Sequence, residues 1–214
     1  MAEHHLSVPR TARFFTLGNE STPTELWFVL HGYGQLAARF IRHFEPLDDG
    51  SRLVVAPEGL SRFYIEVNRA DKIGASWMTR EDRLVEIADY VRYLDAVHAA
   101  VGGATAPRVV VLGFSQGTAT AARWLATGAA RADRLILWGG EVPPDLDLAA
   151  ARARWLETGV TLVAGSTDPF ITTKVLARDE ARLRETGIVC QVERFEGGHE
   201  LDTEVLREIV RGKR

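Results

Sequence analysis

The sequence predicts an α/β protein built on a mostly parallel, doubly wound sheet flanked by helices. Three observations carry this reading. Short β-branched runs alternate with helical segments from about residue 24 to the C-terminus. The runs after the first are apolar on consecutive positions, as strands covered on both faces are. Turn residues bound each run.

In chain order, residues 13–17 and 25–30 read as strands, 36–44 as a helix and 53–56 as a third strand. Residues 58–79 read as irregular, longer than a usual connection and therefore a candidate functional segment. The next helix, 80–101, places Leu84, Ile87, Ala88, Val91, Leu94 and Val97 on one stripe and Arg83, Glu86, Asp89 and Arg92 around the other side. Strands at 108–112, 134–138, 161–164 and 189–195 then alternate with helices at 116–127, 147–158, 172–186 and 202–210. No repeat, low-complexity tract or linker interrupts the pattern, so residues 1–214 are expected to form one domain. The interval between Trp138 and Asp168 is filled by a helix and a strand, which leaves no room for a large cap domain.

A composition of 46% hydrophobic and 26% charged residues is that of an ordinary globular chain. The net charge of -3, without any basic and aromatic cluster, argues against nucleic acid as a partner. Cys190 is the single cysteine, which rules out an internal disulfide and fits a reducing compartment. No apolar run reaches the length of a signal-peptide core or a membrane span, so the expectation is a cytoplasmic protein without stable membrane insertion. Either a monomer or a homodimer fits the sequence. His4 and His5 are read as incidental, and no metal site is expected.

The chemistry is concentrated at strand ends. Residues 109–118, VVVLGFSQGT, are a β-run, a G-x-S-x-G motif and the start of a helix, the context of a nucleophile elbow centred on Ser115. Gly113 and Gly117 supply the small side chains that so tight a turn demands. The helix beginning there directs backbone N–H groups and its positive end at any oxyanion on the serine. A second turn, Leu30-His31-Gly32-Tyr33-Gly34, follows the strand where such folds place the other oxyanion donor. The oxyanion hole is therefore assigned to the amides of Tyr33 and Gln116, with His31 as a brace. Residues 32–37 also match the G-x-G-x-x-A dinucleotide fingerprint, with Glu58 near the end of the next strand. That rival leaves the downstream Ser, Asp and His turns unexplained.

The acid and base should follow the nucleophile in chain order, each after a later strand. Asp168 follows the strand at 161–164 and His199 the strand at 189–195, completing a Ser115, Asp168, His199 triad. Glu200 and Asp202 read as first-turn residues of the last helix. His199-Glu200 lacks the second histidine of a zinc-binding H-E-x-x-H motif. Cys190, Trp124, Trp138 and Trp155 read as core. Trp77, in the irregular stretch, is a candidate wall of the substrate cleft, with core packing as the alternative.

These motifs resemble the phospholipase/carboxylesterase family of the α/β-hydrolase superfamily, which includes the acyl-protein thioesterases. The resemblance runs from His31-Gly32-Tyr33-Gly34 through Pro57-Glu58-Gly59, Ser76-Trp77 and Gly113-Phe114-Ser115-Gln116-Gly117 to Asp168 and Gly197-Gly198-His199. It implies an α/β-hydrolase fold, a cofactor-free esterase chemistry and an aromatic-lined acyl pocket. The sequence departs from the thioesterases at Gln35, Met78 and Thr118, where they usually carry Asp, Phe and often Gly. The expected activity is hydrolysis of small-molecule carboxylic esters with short to medium acyl chains, or thioesters, through an acyl-enzyme. A dienelactone-hydrolase-like enzyme and a non-catalytic ligand-binding protein on the same fold are the alternatives.

Overall fold

The computed structural model describes residues 1–212. Seven strands form the central sheet: β1 (Phe14–Gly18), β2 (Glu25–Leu30), β3 (Arg52–Pro57), β6 (Val109–Phe114), β7 (Arg134–Trp138), β8 (Gly159–Gly165) and β9 (Cys190–Phe195). Their spatial order is β1-β3-β2-β6-β7-β8-β9. Only β1 runs antiparallel, against β3; every other pair is parallel.

The consecutive apolar residues of the inner strands are explained by two cores, one on each face. Along β2, Leu26, Phe28 and Leu30 enter one cluster while Trp27 and Val29 enter the other. The same alternation divides Val109 and Val111 from Val110 and Leu112 in β6. Helices α2 (Arg83–Ala100), α3 (Gln116–Thr127), α4 (Leu148–Trp155) and α5 (Thr173–Glu185) cover the first face. The opposite face is covered by α1 (Ala37–Phe40), the 3-10 segment Ile41–Leu47 and α6 (Thr203–Val210). Trp124, Trp138 and Trp155 are all fully buried within these cores.

Four expectations are corrected. The helix expected at 36–44 is one α-turn continued as a 3-10 segment that contains Pro46, whose missing N–H suits a short, tight helix poorly extended as α. The stretch at 58–79 holds an antiparallel hairpin, β4 (Ser61–Tyr64) with β5 (Ile73–Ser76). The long helix starts at Arg83, because Asp82 lies in the left-handed region with φ 48°. Strand β9 is an edge strand, and its Gln191 and Arg194 are exposed where inner strands are buried. Cys190 accordingly packs at the margin of the core, half-buried, and burial pushes its thiol up from the usual value.

Chain 139–147, between β7 and α4, carries no inserted cap. Among the described residues no helix is long and apolar enough to cross a membrane.

Candidate active site

All parallel strands present their C-terminal ends on one edge of the sheet, and the chain turns that follow β2, β6, β8 and β9 converge there. Ser115 sits between β6 and α3 with φ 54° and ψ −117°, a conformation that L-residues rarely hold. Its amide donates to Trp138 O at 2.8 Å. The turn is closed so tightly that a Cβ on Gly113 would lie 2.2 Å from Gly117 O, and one on Gly117 would lie 2.1 Å from Leu30 O. No other residue type fits at either position.

The Ser115 hydroxyl lies 2.9 Å from His199 Nε2, and His199 Nδ1 lies 2.8 Å from Asp168 Oδ2. Since the carboxylate can only accept, Nδ1 carries the proton and Nε2 is left free to accept from Oγ–H. Asp168 is buried, and its second oxygen accepts from the amides of Phe170 at 2.8 Å and Ile171 at 3.0 Å. Burial alone would raise this carboxyl. The hydrogen bonds from His199, Ile171 and Phe170 outweigh it and hold Asp168 below the usual carboxylate range.

The turns after β8 and β9 are tied together, which fixes the distance from Asp168 to His199. Ser166 N donates to Phe195 O, and both Thr167 N and Thr167 Oγ1 donate to Gly197 O. On the far side of His199, Trp138 Nε1 donates to Glu200 O at 2.8 Å. The imidazole packs against two aromatic rings: Phe114, with centroids 5.1 Å apart, and Phe170, edge-on at 4.8 Å. Asp202 caps α6 through Val205 N, whereas Glu200 lies before the helix and its carboxylate accepts from Gly198 N.

The turn after β2 is braced from below. His31 is fully buried; its Nε2 accepts from Gly59 N at 2.9 Å, so Nδ1 carries the proton and donates to Gly32 O at 2.8 Å. Burial lowers the pKa of this ring and keeps it neutral. Gln35 Oε1 accepts from Gly32 N at 2.8 Å, a fixed role for the residue that stands in place of an acid. The amides of Gly34 and Gln35 are spent within the fold, on Ala75 O and Gly32 O, and that of Ser115 on Trp138 O. Those of Tyr33 and Gln116 enter none of these turn hydrogen bonds.

Trp77 does not wall a cleft. It is 2% exposed, lies against the His31 ring at 4.9 Å and donates from Nε1 to His31 O at 2.8 Å. The indole holds the turn after β2 from behind, because its N–H needs a buried acceptor and the turn offers one. The Gln116 side chain completes this support: Nε2 donates to Met78 O, and Oε1 accepts from Trp77 N. Glu58, which a dinucleotide ribose would need free, is buried and committed to Arg13, Arg62 and the Ala37 amide. Sequence reasoning missed Phe170, an isolated aromatic after Asp-Pro in a loop, for which neither periodicity nor motif gives a signal.

The profile of a family described as phospholipase/carboxylesterase matches residues 72–211. Among solved structures, the chain is similar to Zea mays acyl-protein thioesterase 2, with TM-score 0.72, 16% identity, and 95% of this chain and 98% of that chain covered. It is similar to the esterase PE8, with TM-score 0.69, 19% identity and coverage of 95% and 99%. For the Bacillus cereus carboxylesterase the TM-score is 0.68, the identity 16% and the coverage 95% of each chain. These likenesses establish the α/β-hydrolase fold. No curated protein gives a significant match.

Proposed function

Because the chain belongs to the phospholipase/carboxylesterase family of ester hydrolases, we propose that it is a serine hydrolase cleaving carboxylic esters of short to medium acyl length, or thioesters, with Ser115 as nucleophile. The observation that carries this reading is the unbroken chain of hydrogen bonds from Ser115 Oγ through His199 to Asp168, with a strained serine at its head.

His199 Nε2 takes the proton as Oγ attacks the acyl carbon, and the amides of Tyr33 and Gln116 receive the oxyanion. The imidazolium returns its proton to the departing alkoxide or thiolate, leaving Ser115 acylated. Water then attacks the acyl-enzyme with His199 as base, releasing the acid and the free serine. Asp168 stays ionised throughout, which its low pKa supports.

A cavity of about 320 Å³ borders the turn after β2 at Gly34 and Gln35, lined by Leu36, Phe40, Ile65 and Ile73 together with Arg39, His43 and Lys72. The test is hydrolysis of p-nitrophenyl esters of rising acyl length, alongside acyl thioesters, by wild type and Ser115→Ala. The substitution should lower kcat by about 10⁶-fold. A loss below about tenfold overturns the assignment, and turnover of long chains alone overturns the acyl-length reading.

A further inference from the structure

We propose that Phe170 forms the leaving-group subsite, so that the preferred substrates are esters or thioesters whose alcohol or thiol carries an aryl, benzyl or similarly flat apolar group next to the reacting atom. This rests on the hydrolase reading above and specifies which half of the substrate is recognised on which side of the serine.

The direction follows from the sheet. Ser115 follows β6, the turn with the proposed oxyanion donor follows β2, and Asp168-Pro169-Phe170 follows β8; β2 and β8 lie on opposite sides of β6. The proposed oxyanion amide of Tyr33 and the Gly34–Gln35 wall of the cavity belong to the turn that follows β2. The atom that leaves must receive a proton from His199 Nε2, so it lies on the imidazole side, and its substituent runs outward over the residue that flanks this ring. That residue is Phe170. Its ring meets the imidazole edge-on at 4.8 Å yet is 67% exposed, and it joins neither core cluster.

A large apolar ring left this open beside the reacting groups gives a substituent of the substrate a surface to bury. Its backbone is not free to move away, because the Phe170 amide is held by Asp168 Oδ1. Phe114, the other ring against the imidazole, is buried, so Phe170 is the aromatic ring beside His199 that is presented to solvent.

The decisive experiment compares ethyl and benzyl esters of one acyl group, whose alcohols differ little in leaving-group basicity, with wild type, Phe170→Ala and Phe170→Leu. The acyl-enzyme is common to both esters, so kcat/KM isolates acylation and the leaving-group contact. In Phe170→Ala, kcat/KM should fall about tenfold for the benzyl ester, carried by KM, and less than twofold for the ethyl ester. Phe170→Leu should be intermediate, and the pH profile for the ethyl ester should not move. An equal loss on both esters, or a shifted profile, would make Phe170 a support of His199 and overturn the subsite; so would an unchanged benzyl preference. If folded wild type turns over neither ester nor any member of the p-nitrophenyl series, the hydrolase reading itself fails, and the subsite with it.

Discussion

In the proposed mechanism Ser115 couples chemistry to backbone strain, and the two can be separated by substitution. At φ 54° and ψ −117° an L-residue is held at a cost of roughly 1–3 kcal/mol, which glycine escapes. Ser115→Gly and Ser115→Ala should both abolish turnover, but the glycine variant should unfold at higher denaturant, by about 1 kcal/mol once its greater unfolded-chain entropy is deducted. Equal stabilities would mean that the turn is not strained. Asp168→Asn removes the acceptor that fixes the His199 tautomer; kcat should drop by about 10⁴-fold while the fold is kept. Trp77→Phe keeps the ring but leaves His31 O without its donor, which should cost about 1–3 kcal/mol and weaken catalysis through the donor turn.

At the level of elements, the site depends on pieces clamped to one another. Helix α3 carries the Gln116 amide at its first position, and the Gln116 side chain binds α3 to the end of β5. Gln116→Ala retains the proposed oxyanion donor and loses only the clamp. Activity should therefore fall by about 10–100-fold, the scale of a small misplacement, with the proposed nucleophile and base intact. Helix α5 secures the segment after β7 in a similar way: buried Asp179 accepts from Val142 N at 2.7 Å, and Arg182 donates to Val142 O and Pro143 O. The short α1 is anchored by Glu58 through the Ala37 amide, so the donor turn between β2 and α1 is held at both ends.

For the molecule as a whole, the buried neutral His31 links stability to pH. Its folded pKa is depressed, so its contribution is fully present above the ordinary imidazole value of about 6.5 and is lost as the pH falls from there toward the depressed value. Partly buried His98 is shifted in the same direction by burial and adds to the slope. Urea midpoints should therefore decline between about pH 7 and pH 5, and His31→Gln should flatten the decline without removing it. An unchanged slope in that variant would place the proton uptake elsewhere.

The inner strands were legible because burial on both faces writes an uninterrupted apolar run, and each side of the sheet takes alternate residues of it. Ser115, Asp168 and His199 were legible for a related reason: each follows a strand end, and parallel strands bring those ends to one edge. The β4–β5 hairpin escaped because two four-residue strands carry too little alternation to stand out, and Asp82 because nothing in its neighbours announces a left-handed residue. Trp77 shows the remaining gap: sequence places an indole near the site, but only packing decides whether it faces substrate or the back of the donor turn. By itself the sequence determined the order of the central-sheet strands along the chain and which side chains follow their ends, since both follow from local periodicity and chain direction. Tertiary structure alone decided that Trp77 faces inward and Phe170 outward, because that choice depends on which buried acceptors and open surfaces distant segments bring within reach.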